Sequence, residues 1–538
     1  MGTGAGAARR RRGTAAGLFG AAVLVAGTVL TSAGAQAQPS PVPGGHSAGP
    51  GADGGHDGGR DGRDGRRGDH GRGDTEPGPV DRLSATPTRR SVPPAASAPT
   101  TVGSDAPAAG PAALPGAVLA AAEAGPAAAV PTAQGLRQAL SAALADRDLG
   151  EVAFAVADAT DGRLLHGSGE NTPATPASTT KLATSVAALS LIPGDARLST
   201  TVVRGANPGR ITLVGGGDPT LTALPADQVR IGGQPVDADT APASLDDLAR
   251  QTAAALAAAG TTTVTLDYDV SRYTGNPRHR NHDAQNIALV VPLMVDEAKA
   301  DPRSREEAPD RVADPAGAAA GAFAALLRAR GITVVGEAGP AAAPAAADAP
   351  VLGRVDSPTI ARLVERLLTT SDNQLAEAIA HQVALAAHQP ASFEGAAAAV
   401  CQELTRLGVP MAGVVLADGS GLHPDNAIPP AVLVRLLALA ASEQHPALRP
   451  VLTGLPVAGF TGTLGKRYGS GSGAADAAGL IRAKTGTLRG VNTLAGTVVD
   501  ADGRLLAFAV MTRTPAPVDT ARAAMDRIAA RLAGCGCH

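Results

Sequence analysis

The sequence predicts an α/β fold in which helices flank both faces of an antiparallel sheet and a large β-rich region is inserted into the same domain. Two observations indicate the sheet: two strand patterns follow the first helix pattern, and three more lie near the C-terminus. Helix patterns fill the interval between these two groups of strands. A third observation, a long stretch of short strand patterns between those helices, indicates the insertion.

The N-terminus has the pattern of an export signal. The arginines from Arg9 to Arg12 precede an uncharged stretch over residues 14–30, and small residues suited to signal cleavage follow. We therefore predict a signal peptide over residues 1–37 and an exported, extracytoplasmic protein in the cell wall or a periplasm-like space. An uncleaved membrane anchor is the alternative, because the apolar stretch approaches the length that spans a bilayer. Membrane contact is expected only through this segment.

Residues 38–131 are expected to form a disordered linker rich in Gly, Pro and Ala. The run over 51–74 consists almost entirely of Gly, Asp, Arg and His. Such a segment cannot bury enough apolar surface to offset the entropy that the chain would lose on folding.

The whole chain has a formal net charge of -3. This balance argues against a generally basic nucleic-acid-binding protein, so no nucleic-acid partner is expected.

The first part of the main domain is predicted over residues 132–200. A helix pattern covers 134–145 and a strand pattern covers 151–159. The turn sequence Asp161-Gly162 then leads into a second short strand. Helical sequence resumes after Ser178.

The inserted region is predicted over residues 201–352 and the second part of the main domain over 353–538. Short strands in the insertion include 211–214 and 262–266. The second part is expected to open with a helix at Ser357-Pro358, because Ser is a good N-cap and Pro suits the first helical position. Its remaining patterns are strands over 480–485, 493–499 and 505–511 and a closing helix over 518–533.

One short motif, Ser178-Thr179-Thr180-Lys181, lies where this helical sequence begins. Residues i and i+3 share a helix face, so the Lys181 amine is expected beside the Ser178 hydroxyl. A serine hydroxyl is a weak nucleophile until a base takes its proton. Lysine can be that base if burial or a neighbouring cation lowers its pKa.

Two further motifs complete the pattern. Ser371-Asp372-Asn373 lies in a turn between two helix patterns, and Lys484-Thr485-Gly486 lies on a predicted strand, where glycine would let a substrate backbone approach. Singly, each is also compatible with a solvated helix start, a turn or a strand end. However, the chain has only four lysines among its 46 basic residues, and two of them lie in these motifs. Retaining lysine where arginine is the rule suggests a task that arginine cannot perform.

In this order and context, the three motifs resemble the signature of penicillin-binding proteins and β-lactamases. The long interval between the first two motifs and the lack of a Glu-x-x-Leu-Asn motif favour a penicillin-binding protein over a β-lactamase. The chain is similar to the class C low-molecular-mass penicillin-binding proteins, which are D-alanyl-D-alanine carboxypeptidase/endopeptidases. Further stretches that resemble this family lie at 215–221, 418–422 and 462–464.

The resemblance implies a penicillin-binding-protein/β-lactamase-like fold with a D,D-peptidase domain over 132–200 and 353–538. It implies that Ser178 attacks the substrate carbonyl and that Lys181 is the general base. Ser371 and Asn373 would relay the proton and position the groups. Asp372 is as compatible with a turn or cap role as with a catalytic one.

The resemblance also implies that the third motif binds substrate and that no metal or cofactor takes part. The substrate-binding residues would be Lys484, Thr485, Gly486 and Thr487. The like charge of Lys484 would help to lower the pKa of Lys181. The backbone N–H groups of Ser178 and Thr487 would form the oxyanion hole.

The partners implied are peptidoglycan stem peptides as substrates and β-lactam antibiotics as covalent inhibitors. A β-lactamase is an alternative, as is a catalytically weak penicillin-binding sensor or scaffold. Outside the cytoplasm, one of the last two cysteines could bridge to Cys401. A bond between Cys535 and Cys537 would close a very tight ring.

Overall fold

The computed structural model describes residues 128–306 and 308–538. The predicted signal peptide over 1–37 and nearly all of the predicted linker over 38–131 lie outside the described residues. Among the helices that are described, none is both long and apolar enough to cross a membrane.

The described chain contains groups of consecutive strands and groups of consecutive helices. The strands are β1 (Glu151–Asp158), β2 (Leu164–Ser168), β3 (Arg197–Arg204), β4 (Arg210–Val214), β5 (Arg230–Ile231), β6 (Gln234–Pro235), β7 (Thr263–Asp269), β8 (Thr333–Val334), β9 (Gly339–Pro340), β10 (Val351–Thr359), β11 (Ile481–Leu488), β12 (Val491–Val499) and β13 (Leu505–Arg513). The helices are α1 (Ala133–Leu144), α2 (Thr180–Leu191), α3 (Leu245–Ala258), α4 (Pro315–Arg328), α5 (Ile360–Thr370), α6 (Asn373–Ala386), α7 (Phe393–Arg406), α8 (Pro430–Ala441), α9 (Arg449–Thr453) and α10 (Val518–Ala533).

The main sheet joins the two ends of the described chain. Its five strands lie in the order β11-β12-β13-β1-β2, and every neighbouring pair is antiparallel. β1 and β13 pair along their length, from Glu151 opposite Arg513 to Asp158 opposite Leu506. The predicted antiparallel sheet is confirmed, and β11, which carries the third motif, forms one of its edges.

Helices cover both faces of this sheet, as predicted. Alternate side chains of a strand point to opposite faces. Phe154 and Val156 of β1 contribute to a core with α1 and α10, whereas Ala155 and Ala157 contribute to a core with α2, α6 and α8. The small side chains on the second face let the helices that carry the first two motifs lie close to the sheet.

A second sheet lies within and beside the insertion. Its order is β10-β3-β4-β7-β8, with β9 also paired to β7, and the pairs among β4, β7, β8 and β9 are parallel. Parallel strands need crossover connections. Helices α3 and α4 supply them here, in addition to the short strands expected from the sequence. These elements share a hydrophobic core of their own.

The helix expected to start at Ser357-Pro358 begins later. Both residues belong to β10, and the Ser357 hydroxyl accepts a hydrogen bond from the Leu198 backbone N–H of β3, at 2.9 Å. Thr359 caps α5 instead, accepting from the N–H of Arg362. Pairing with β3 therefore holds this segment extended, although its residue types suit a helix start.

The C-terminal cysteines pair with each other. Cys535 and Cys537 form a disulfide with Cα atoms 5.1 Å apart, and Cys401 is free. The bridge to Cys401 considered from the sequence is therefore wrong. Cys535 and Cys537 contribute to the core that α1 and α10 form with the sheet, whereas Cys401 lies on α7, which packs on the opposite face.

Phe323 lies at the centre of the insertion's core and is 0% exposed. Replacing Phe323 with Ala should lower the free energy of unfolding of the insertion by about 3–5 kcal/mol, because it leaves a cavity. Chemical denaturation would measure this loss. Phe460 is 69% exposed and provides the control, since Phe460→Ala should change stability by no more than about 0.5 kcal/mol. Equal losses for the two variants would contradict the assignment of this core.

Candidate active site

The first motif brings a hydroxyl and an amine together. Ser178 lies in a 3-10 turn, Ala177–Thr179, that continues directly into α2. The Nζ atom of Lys181 lies 2.8 Å from the Oγ atom of Ser178, as the spacing predicts. Lys181 is 0% exposed, whereas Ser178 is only half-buried. The hydroxyl is therefore open to a ligand while the amine lies behind it.

The second motif lies in the turn between α5 and α6. Ser371 ends α5 in the left-handed region, with φ 61°. Asp372 caps α6, since its carboxylate accepts a hydrogen bond from the N–H of Leu375 at 3.0 Å. Asn373 then points its Oδ1 at Lys181, and the Lys181 Nζ donates to it at 2.7 Å. The structure thus gives Asp372 the cap role that the sequence left open.

The third motif lies on the edge strand β11. Lys484 is 0% exposed, and its Nζ donates to Ser371 Oγ and to the Thr485 carbonyl, each at 2.8 Å. The hydroxyl of Thr485 lies 2.8 Å from that of Thr463, and Thr487 is exposed. The third motif therefore contacts the second directly.

Gly486 brings β11 against the turn that carries Ser178. A Cβ atom at this position would lie 2.8 Å from the Pro176 carbonyl oxygen and 2.9 Å from the Ser178 backbone nitrogen. The sequence suggested that glycine serves the approach of a substrate backbone. The structure gives a different reason, since the crowding comes from the protein's own turn at Ser178.

All three motifs thus meet around the half-buried Ser178 hydroxyl. The chain has the groups that nucleophilic catalysis needs: a serine, a buried amine within hydrogen-bond reach, and an edge strand beside them. Residues 136–309 and 300–532 match the D-Ala-D-Ala carboxypeptidase 3 (S13) family. The chain belongs to this family. It is accordingly a serine-type hydrolase of the D-Ala-D-Ala carboxypeptidase class.

Individual relatives agree with this assignment. Carboxypeptidase DacB of Mycolicibacterium smegmatis is 37% identical over 420 residues, which cover 76% of this chain and 85% of that protein. A D-alanyl-D-alanine carboxypeptidase of Actinomadura sp. is 35% identical over 231 residues, 41% of each chain. The crystal structure of penicillin binding protein 4 from Haemophilus influenzae has a TM-score of 0.58 at 20% identity, covering 74% of this chain and 98% of that one. This likeness confirms the predicted penicillin-binding-protein fold.

Burial lowers the pKa of both lysines in the carboxypeptidase's three motifs. It lowers the pKa of Lys181 to about 8, although the carboxylates of Asp418, Glu377 and Asp372 act in the opposite direction. Burial, and then the charge of Lys181, lower the pKa of Lys484 well below its usual value. The sequence attributed the low pKa of Lys181 partly to Lys484, whereas the main cause is the removal of Lys181 from water.

Two residues at this site were not predicted from the sequence. The backbone carbonyl of Ser420 accepts a hydrogen bond from Lys181 Nζ at 2.7 Å. The carboxylate of Glu377, which is 0% exposed, accepts from the N–H groups of Gly419 and Ser420. A sequence signal did exist for Glu377, because it lies four residues after Asn373 and therefore on the same face of α6.

A third group of buried residues lies behind Lys181. His282, Glu377 and Asp418 each place one nitrogen or oxygen atom within 4.8 Å of the others. Histidine and carboxylate groups in this arrangement could hold a metal ion. In the structure these atoms are engaged in hydrogen bonds. His282 Nε2 lies 2.8 Å from Asp418 Oδ2, which also accepts from the N–H of His423. The cluster therefore connects a loop of the insertion to the turn that carries Ser420.

Proposed function

We propose that this carboxypeptidase hydrolyses the terminal D-Ala-D-Ala bond, or D-Ala cross-links, of peptidoglycan stem peptides through an acyl-enzyme on Ser178. The single observation that carries the proposal is the placement of the buried Lys181 amine, 2.8 Å from the Ser178 hydroxyl. With a pKa of about 8, this amine is partly neutral near physiological pH and can accept a proton.

The hydrogen bonds of Lys181 suit the first step. A neutral amine has two hydrogens, which can donate to Asn373 Oδ1 and to the Ser420 carbonyl, both at 2.7 Å. The lone pair is then left for the hydroxyl proton of Ser178. As that proton moves to Lys181, Ser178 Oγ bonds to the carbonyl carbon of the penultimate D-alanine. The negative charge that develops on the carbonyl oxygen would be stabilised by the N–H groups of Ser178 and Thr487.

The proton must next reach the leaving amine. Ser371 Oγ already accepts a hydrogen bond from Lys484, so its own O–H is free to donate. We assign Ser371 the transfer of a proton to the amine nitrogen as the C–N bond breaks, with the Lys181 ammonium restoring the Ser371 proton. Water then attacks the ester carbonyl, releases the shortened peptide and returns the proton to Ser178.

Substrate binding is assigned to the edge of β11. An edge strand has unpaired backbone groups that can pair with an extended peptide. The hydroxyls of Thr485 and Thr487 flank Gly486 on this strand and are assigned to the substrate's terminal carboxylate, together with the Nζ group of Lys484. The insertion over 201–352 contains none of the three motifs, and we assign it the choice of polymeric substrate.

Penicillin should label Ser178. A solved structure of penicillin binding protein 4 from Haemophilus influenzae contains a β-lactam and has a TM-score of 0.55 to this chain. Mass spectrometry of a tryptic digest should place one penicilloyl group on the peptide that contains Ser178, and the adduct should persist. Rapid turnover of penicillin without an adduct would favour the β-lactamase alternative, and an unlabelled protein would contradict the proposal.

We also propose that the protein is exported and acts in the cell wall or a periplasm-like space. Deleting residues 1–127 should leave a folded and active peptidase, because all three motifs lie at or after Ser178. The deletion ends before Ala128, whose carbonyl accepts a hydrogen bond from Arg504. Activity on a small D-Ala-D-Ala peptide would be compared with that of the full chain. A large loss of activity in the soluble truncated protein would contradict this division.

A further inference from the structure

The Lys181 amine depends on a backbone carbonyl that is itself held in place. Ser420 lies in a tight turn, residues 418–421, that packs against α2 and α6. A carbonyl in a turn can rotate unless its neighbours fix the peptide plane. The groups that fix this plane and the planes before it in the turn therefore control one of the two acceptors available to a neutral Lys181.

The turn is fixed from both of its sides. Glu377 accepts from the N–H of Ser420 at 2.8 Å and from the N–H of Gly419 at 3.1 Å, using one carboxylate oxygen for each. The Thr184 hydroxyl of α2 donates to the Gly419 carbonyl at 2.7 Å. Asp418 accepts from the N–H of Gly421 at 2.8 Å. Asp418 thus holds the peptide plane that carries the Ser420 carbonyl, because this carbonyl and the Gly421 N–H share one plane. Glu377 and Thr184 hold the planes immediately before it. Together these contacts leave the Ser420 carbonyl facing Lys181.

Glu377 occupies a position that stability alone does not explain. It lies on α6 and is 0% exposed, and among the described residues no arginine or lysine forms a salt bridge with it. Burial raises its pKa to about 7, with Asp418 adding to the shift and His282 opposing it. A buried carboxylate without a cationic partner costs free energy even when N–H groups bind it, so its presence here indicates a role beyond stability.

We propose that Glu377 is a positioning residue for the reaction, acting through the Ser420 carbonyl to direct the hydrogens of Lys181 away from Ser178. With Asn373 as the second acceptor, this leaves the amine lone pair aimed at the Ser178 hydroxyl. The inference rests on the proposed function, because it requires Lys181 to act as the base.

Glu377 also affects the charge of Lys181. Four titratable groups face the amine: Glu377 on α6, Asp372 at the N-cap of α6, Asp418 on the turn and Lys484 on β11. His282 of the insertion lies 2.8 Å from Asp418, and its charge acts to lower the pKa of Glu377. A negative charge on Glu377 favours the protonated amine. Removing it should therefore lower the pKa of Lys181, which a residue with a purely structural role would not do.

The test measures the rate at which a fluorescent penicillin acylates the full chain across a pH series. In Glu377→Gln, one of the two N–H groups loses its acceptor, so the plateau rate should fall at least about 10-fold. The midpoint of the acid limb should also move to lower pH. Glu403→Gln is the matched control, since Glu403 is 3% exposed on α7 and pairs with Arg406. This control should keep both the rate and the midpoint.

Thr184→Val provides a second variant if Glu377→Gln fails to fold. It loosens the same turn without changing charge, so the rate should fall while the midpoint stays. A wild-type rate and midpoint in folded Glu377→Gln, or a wild-type rate in Thr184→Val, would overturn the proposal. Failure of the wild-type chain to be labelled at Ser178 would instead overturn the proposed function, so the two failures are distinguishable.

Discussion

Replacing Lys181 with Arg should slow acylation of Ser178 by penicillin at least about 1,000-fold, although the charge is kept. A guanidinium does not release its proton near neutral pH, so it cannot accept one from Ser178. The larger side chain must also fit where Lys181 is 0% exposed. The rate of adduct formation, followed by fluorescence or mass spectrometry, measures the effect.

The chain has its own control for this substitution. Lys466 is exposed and lies in none of the three motifs, so Lys466→Arg should acylate at the wild-type rate. Circular dichroism would show whether each variant is folded. A folded Lys181→Arg variant that retains more than about a tenth of the wild-type rate, roughly 1.4 kcal/mol in barrier, would remove Lys181 from the role of base.

The pH dependence of the wild-type rate checks the same role independently. Lys181 must be neutral to accept a proton, and its pKa is lowered to about 8. The acylation rate should therefore rise with pH through a midpoint near 8 and fall as the amine becomes protonated below it. A rate that does not change between pH 6 and 9 would contradict the assignment.

Gly486→Ala should reduce acylation about 100-fold, the scale of effect that a shift of about 1 Å has at a reacting group. The new Cβ would lie 2.2 Å from Thr493 Oγ1 and 2.9 Å from the Ser178 nitrogen. Either β11 or the Ser178 turn must then move, and both are assigned to the oxyanion hole. Stopped-flow acylation measures the loss.

Gly469→Ala is the control for this second variant. Gly469 is exposed, and nothing lies within 4 Å of a Cβ atom built there. It should therefore acylate like the wild type and unfold at the same temperature. If Gly486→Ala also keeps the wild-type rate, then the close approach of β11 to Ser178 is not needed for the reaction.

The sequence was sufficient for features that depend on local spacing. The i, i+3 relation of Ser178 and Lys181 predicts their contact, and the two groups of strand patterns predict the main sheet. These succeed because side-chain direction in helices and strands follows from the periodicity of the backbone.

Features that depend on distant partners were missed. Ser357 has the residue type of a helix cap, but its partner is Leu198 on another strand. The role of Ser420 lies in its backbone carbonyl, which every residue has, so no residue type could indicate it. Cys401 and the C-terminal cysteines lie on opposite faces of a sheet, and that separation requires the fold to be known.

The pairing of β1 with β13 also governs when the protein can first become active. A ribosome makes the N-terminal end first, so β1 is complete long before β13, the neighbour that links it to β11 and β12. Contacts between such distant segments form slowly, because a long loop must close before they are made. Ser178 on the early segment consequently lacks its contact with β11 until the C-terminal strands have been synthesised. Assembly of the candidate site therefore begins only after these strands have been released, and a chain that ends before them has no assembled site.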